Sequence, residues 1–119
     1  MSHQLREIPK VKQSAGSPLR RWWTSDSMDL YVWQGIGREL TGFEICYGKP
    51  HDEHSLRWSP DEGFRHHRID DGEETAFDHR TPIAVPDGDY TLDDIAVLFE
   101  HCATEIDSDI FVMVRAILR

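Results

Sequence analysis

The sequence predicts an α+β domain in which an antiparallel β-meander of about five strands packs against one or two C-terminal α-helices. From residue 18 onward, short segments rich in aromatic and β-branched residues alternate with turn residues, a pattern typical of antiparallel strands. Near the C-terminus, apolar residues recur with the period of a helix instead. The chain has 119 residues, enough for one domain with its own core. We therefore expect a single domain over residues 18–119.

Residues 1–17 are expected to form a flexible basic N-terminal tail. They show no sustained apolar period and contain Pro9, Ser14, Gly16 and Ser17. Residues 1–21 carry five basic residues and one acidic residue, whereas the rest of the chain carries eight basic and 21 acidic residues. We expect the tail to fold back on the acidic remainder of the same chain, and contact with a polyanion is the alternative.

The first three predicted strands form consecutive hairpins. The segments LRRWWTS and MDLYVWQ flank Asp26 and Ser27, which suit a two-residue turn and set Trp23 opposite Leu30. The four residues GIGR then lead into ELTGFEICY and set Leu30 opposite Phe43. Both registers follow from loop length alone, so a shift by one residue would exchange the two faces of the sheet.

These registers divide the side chains between two apolar faces. The face expected to form the core carries Trp23, Met28, Leu30, Val32, Phe43, Ile45 and Tyr47. The opposite face carries Trp22, Tyr31, Trp33 and Leu40. Arg20 is expected opposite Trp33, at cation–π distance. A soluble monomer rarely leaves so much aromatic area open, so the second face predicts an interface; coverage by other parts of the same chain is the alternative.

The segment SPDEG predicts a further hairpin. Pro60 favours the φ angle of a turn's first position, and Gly63 can adopt the left-handed conformation at the end of the turn. With four residues in the loop, Leu56 is expected opposite His67. The following segment DDGEETAFDHR is expected to be a loop, and TPIAV a short edge strand.

The segment DYTLDDIAVLFEHCATEID predicts an α-helix. Thr91 and Asp94 have the spacing of a capping box. One apolar stripe follows at helical spacing, formed by Leu92, Ile95, Ala96, Phe99, Cys102, Ala103 and Ile106. We expect this stripe to cover the core face of the sheet. The last segment, SDIFVMVRAILR, combines a strand-like alternation with a cap-forming serine, and we favour a helix.

Composition narrows the classes of function. The net charge of −9 opposes binding to a nucleic acid. The longest apolar run is far shorter than the roughly 20 residues of a membrane span, and the N-terminus lacks an apolar signal segment. We therefore expect a cytoplasmic protein without a membrane partner. Cys46 and Cys102 lack CxxC spacing and are expected to be packed thiols, and no motif calls for a cofactor.

The stretch HDEHSLRWSPDEGFRHHRID holds four of the seven histidines of the chain. In the register above, His54 and His67 are diagonal neighbours on one face, where both rings can approach one ion. Asp52 and Asp71 lie at the open end of the same pair of strands, and His51 lies in the loop just before Asp52. These residue types suit a metal or acid/base site. A solvated hairpin with ordinary imidazoles beside carboxylates is the favoured interpretation.

No motif identifies an activity. The sequence favours a non-catalytic protein-interaction or regulatory module that self-associates, as a homodimer, or binds another protein through the aromatic face. A metal-dependent or acid/base enzyme that uses the histidine cluster is the alternative.

Overall fold

The structure is a computed structural model that describes residues 3–49, 52–68 and 91–119. Its elements, in chain order, are β1 (Arg6–Glu7), β2 (Leu19–Thr24), β3 (Met28–Gln34), β4 (Leu40–Tyr47), β5 (His54–Ser59), β6 (Gly63–Arg68), α1 (Leu92–Cys102) and α2 (Ser108–Leu118). The strands form one antiparallel six-stranded meander in sequence order. This confirms the predicted α+β class, with six strands where about five were expected.

The additional strand lies in the segment that the sequence assigned to a flexible tail. Leu5 is buried in the core, and its backbone N–H donates to the carbonyl of Cys102. β1 then pairs with β2. The side-chain amide of Gln13 bonds both the N–H and the C=O of Arg20, at 2.9 and 2.8 Å. These contacts satisfy backbone groups that an edge strand would otherwise expose.

The hairpin of β2 and β3 has the predicted register, with Trp23 opposite Leu30. Between β3 and β4 the register differs by two residues, so Leu30 lies opposite Ile45 rather than Phe43. A shift of two residues keeps each side chain on its predicted face. The prediction of a four-residue connection was therefore wrong in length but right about the faces.

A β-bulge alters this result at the start of β4. Trp33 pairs with Gly42 and Gln34 pairs with Leu40, which leaves Thr41 as the additional residue. Leu40 consequently packs against the hydrophobic core instead of joining the aromatic face. Its predicted place in the interface was wrong because loop length alone does not reveal a bulge.

Both described helices pack on the predicted core face of the sheet. One continuous cluster joins Trp23, Leu30 and Phe43 of the sheet to Phe99 of α1 and Val114 of α2. Burial of each large apolar side chain contributes about 1.5–3 kcal/mol to folding. This packing makes the other face of the sheet the one that neither helix covers.

The helices begin and end as their sequences indicate. Thr91 is the N-cap of α1, and its hydroxyl and the carboxylate of Asp94 form the predicted capping box. The final segment is a helix, as favoured, with Asp107 rather than Ser108 as N-cap. Ile110, Val114 and Leu118 are buried. Their spacing of four residues, rather than the alternation over residues 110–114, matches the buried face.

The β5–β6 hairpin differs from the prediction by one residue. Ser59 pairs directly with Gly63, so the loop has three residues instead of four. Gly63 has a φ of +72°, which fits a type I turn closed by a left-handed residue. Leu56 therefore lies opposite His66, and His67 moves to the other face of the sheet.

Two further expectations concern parts of the chain that are not described. The predicted loop DDGEETAFDHR and the predicted edge strand TPIAV both lie outside the described residues. In the described ranges, none of the helices is long and apolar enough to cross a membrane.

We predict that Gly63→Ala destabilises the protein by about 1–2 kcal/mol, because an L-residue with a side chain pays this cost in the left-handed region. A Cβ at this position would meet nothing within 4 Å, so steric clash contributes little. Gly63→Asn is the matched control, since asparagine tolerates the same φ better. Urea unfolding of the three proteins measures the difference. An alanine variant at least as stable as the asparagine variant would contradict the turn assignment.

Candidate functional site

The face of the sheet opposite the helices carries the candidate site, and we call it the outer face. Strand alternation and the observed registers assign its side chains. From β2 to β6 they are Arg20, Trp22, Thr24, Asp29, Tyr31, Trp33, Glu44, Cys46, Ser55, Arg57, Ser59, Arg65 and His67. Four of the five residues predicted for the interface, namely Trp22, Tyr31, Trp33 and Arg20, are present here, and Leu40 is not.

An aromatic ladder crosses one half of the outer face. Trp22 stacks on Tyr31 with ring centroids 5.7 Å apart, and Tyr31 stacks on Trp33 at 6.3 Å. The guanidinium group of Arg57 lies over the Trp33 ring, 5.7 Å from its centroid. Stacking within the ladder uses ring faces that a nucleobase or a sugar would need, which leaves mainly ring edges for recognition.

Arg20 lies opposite Trp33, as the register predicts. The guanidinium that covers Trp33 is nevertheless that of Arg57, for which the sequence predicted no role. Arg20 directs Nη2 toward the carbonyl of Lys12 at 3.3 Å. Arg57 was missed because the pairing of β4 with β5 brings it near Trp33, and no local pattern in the sequence reports that neighbour.

Asp29 holds one end of the ladder in place. Its Oδ1 accepts hydrogen bonds from Trp22 Nε1 at 3.2 Å and from the Thr24 hydroxyl at 2.5 Å. Its Oδ2 forms an ion pair with Lys49 Nζ at 3.0 Å. A partly buried carboxylate with these partners fixes the indole in one orientation.

Tyr31 is the central ring of the ladder. Burial, and to a smaller extent the negative charges of Asp29 and Glu44, raise the pKa of its phenol above the ordinary value. Tyr31 therefore stays a neutral hydroxyl, able to donate or accept one hydrogen bond, well above neutral pH.

Cys46 lies beside the ladder as a packed thiol. It is buried, and burial raises the pKa of its thiol strongly, with further contributions from Glu44 and Asp29. The Glu44 carboxylate instead accepts a hydrogen bond from Ser55 Oγ at 2.6 Å. Cys46 and Glu44 thus contribute to the packed polar part of the outer face.

A second cluster lies on the core face and consists of Tyr47, His54 and His66. The ring of His54 stacks on Tyr47 and on His66, with centroid distances of 5.5 and 5.3 Å. The Tyr47 hydroxyl forms a hydrogen bond with His66 Nε2. His54 Nδ1 lies 3.0 Å from the backbone carbonyl of Asp52. Tyr47 and His54 are buried.

This cluster replaces the predicted grouping of His54 with His67. The shift of one residue in the β5–β6 hairpin puts His67 on the outer face, beside Ser55, so the prediction of a shared face was wrong. The carboxylate of Asp52 lies 3.7 Å from Arg68. His51 and Asp71 lie outside the described residues. Over the described ranges, no three His, Cys, Asp or Glu side chains are arranged to hold a metal ion.

Comparison of the chain with protein-family models, with curated proteins and with solved structures finds no match. Its function therefore has to be inferred from the chemistry of its own surfaces.

We predict that both thiols resist alkylation in the folded protein. Burial raises the pKa of Cys46 and of Cys102, and both side chains are buried. Iodoacetamide at about pH 8 should leave both unmodified in the native state and modify both in denaturant, as mass spectrometry can count. Asp26→Cys supplies an exposed thiol as a positive control. Rapid native modification of Cys46 would contradict its packed position.

We also predict a late-titrating tyrosine. Because the pKa of Tyr31 is raised in the folded state, the folded protein holds this proton more tightly than the unfolded chain does. The free energy of unfolding should therefore fall as pH rises from about 10, the ordinary tyrosine pKa, through the folded pKa. Ultraviolet titration of wild type and Tyr31→Phe isolates this phenol. Ionisation of Tyr31 at or below the ordinary pKa would overturn the assignment.

Proposed function

We propose that this protein is a non-catalytic interaction module that self-associates through the outer face. The observation that carries the proposal is the ladder of Trp22, Tyr31, Trp33 and Arg57 on the face that neither described helix covers. Trp, Tyr and Arg are the residue types that contribute most to protein interfaces. A role in protein association accounts for their presence on this face.

The orientation of the rings supports a protein partner over a sugar or a nucleic acid. The aromatic side chains stack on one another and are half-buried, so they present a firm, mixed surface of ring edges and polar groups. Rigid aromatic groups lose little conformational entropy on binding. The net charge of −9 further opposes approach of a phosphate backbone.

Acid/base chemistry at Tyr47, His54 and His66 is the second candidate, since a tyrosine hydroxyl bonded to an imidazole can exchange a proton with it. Tyr47 is 0% and His54 is 2% exposed, which is typical of groups that pack in a core. The outer face therefore supports the better proposal.

We predict that Trp33→Glu abolishes self-association. A carboxylate at this position removes an aromatic anchor and places an unpaired charge in the contact, which should weaken dimerisation by about 30-fold or more. Sedimentation equilibrium should show a wild type heavier than the 13.8 kDa of one chain and a variant close to that mass.

Val97→Glu is the matched control, because Val97 is 56% exposed on α1 and receives the same charge away from the outer face. It should sediment like wild type. Circular dichroism confirms that each variant is folded. A wild type that stays at 13.8 kDa at millimolar concentration, or equal dissociation of both variants, would refute the proposal.

A further inference from the structure

We infer that two copies pack their outer faces about a two-fold axis that runs parallel to the strands and passes between β4 and β5, so that Glu44 of each copy faces Arg57 of the other. This inference rests on the self-association proposed above. It follows from the positions of charged, large and small residues on the outer face.

The observed registers arrange the outer face in three rows across the strands. From β2 to β6, the middle row is Trp22, Tyr31, Glu44, Arg57 and Arg65. The row at the end where the β3–β4 turn lies is Arg20, Trp33, Gly42, Ser59 and Gly63. The row at the other end is Thr24, Asp29, Cys46, Ser55 and His67.

A homodimer with closed symmetry places this pattern against itself. Two sheets that pack face to face lie about 10 Å apart with their strands roughly aligned, so the two-fold axis lies in the interface, either across the strands or along them. An axis across the strands that passes through the middle row would set Glu44 on Glu44, Arg57 on Arg57 and Arg65 on Arg65. One that passes between two rows would set Glu44 and Arg57 only against uncharged residues of the other copy. Neither arrangement gives these two charges an opposite charge on the other copy, whereas an axis along the strands can.

An axis along the strands has four central positions. On β4 it would oppose two copies of Glu44. On β5 it would set Glu44 against Arg65 twice, but it would also oppose two copies of Arg57 on the axis itself. Between β3 and β4 it would set Glu44 against Tyr31 and Arg57 against Trp22, so neither charge would gain an opposite charge from the other copy. Between β4 and β5 it sets Glu44 against Arg57 twice, once on each side of the axis. Of these positions, only this one matches opposite charges without also opposing like charges.

The neighbouring positions fit the same axis. Trp33, the largest side chain of its row, falls opposite Gly63, which has no side chain. Tyr31 falls opposite Arg65, an aromatic–guanidinium pair, and Asp29 opposite His67. Sheet twist disturbs such pairings with distance from the axis, so the pair of Glu44 and Arg57 is the best defined.

The side chains of Glu44 and Arg57 are already held in position for this contact by neighbours in their own chain. The hydrogen bonds that Glu44 accepts from Ser55 and Cys46 end on Oε2, which directs Oε1 to a further donor. Arg57 is exposed, and its guanidinium is held over Trp33. An arginine stacked on an indole still presents its N–H groups at the edge, where a carboxylate binds. Little ordering is therefore required on association.

Exchange of the two charges tests the arrangement. Glu44→Arg alone and Arg57→Glu alone should each weaken self-association by about 30-fold or more, because each puts two like-charged contacts at the axis. An equimolar mixture of the two variants should associate within about threefold of wild type, since each contact then joins an arginine to a glutamate. Native mass spectrometry identifies the mixed dimer by its mass.

Two further proteins separate this effect from the pairing of Glu44 with Arg57 inside one chain, where they are cross-strand neighbours. The double variant Glu44→Arg/Arg57→Glu restores the pair in both contexts and should associate like wild type. Arg115→Glu, on the exposed surface of α2, should leave association unchanged. Circular dichroism and thermal melting verify folding of every variant.

The outcomes distinguish this inference from the proposed function. If the equimolar mixture of the two single variants associates like wild type, Glu44 of one copy contacts Arg57 of the other. If wild type associates and Trp33→Glu dissociates, but the mixture stays monomeric while the double variant associates, self-association stands and this axis is wrong. A monomeric wild type refutes both.

Discussion

The structure depends on an imbalance between its sheet and its helices: both faces of the sheet carry aromatic side chains, and the two described helices cover only one face. Trp23 and Phe43 pack with Phe99 of α1 in the core. Trp22 and Trp33 lie on the other side of the same strands. Because side chains alternate along an extended chain, no adjustment of the strands can bury all of these rings under the same helices. The outer face is therefore a consequence of the fold's own geometry.

Contacts from distant parts of the chain keep the helices on one side. Arg21 forms a two-pronged contact with Glu7 of β1 and also bonds Asp107 at the start of α2, so one side chain joins the sheet edge to the last helix. Leu5 bonds the end of α1 through its backbone. Each of these partly exposed ion pairs adds modest stability. Together they hold β1 and the start of α2 beside β2.

The sequence located the outer face better than the histidine cluster for a physical reason. A register error of two residues leaves the faces unchanged, and this was the error at the β3–β4 turn. An error of one residue exchanges the faces, and this was the error at the β5–β6 turn, where Gly63 belongs to the strand rather than the loop. The contact of Tyr47 with His66 therefore had no sequence signal. Neither did the approach of Arg57 to Trp33.

The sequence by itself determined the α+β class, the alternation that divides the first strands into two apolar faces, the capping box at Thr91 and the stripe of α1 that packs on the core. These are local properties, set by residues a few positions apart. Only the tertiary structure decided the bulge that returns Leu40 to the core, the docking of Leu5, and the side on which each histidine lies. Each of these depends on the pairing between distant segments. A register shift of one residue there costs little local free energy, yet it moves side chains to the opposite face of the sheet.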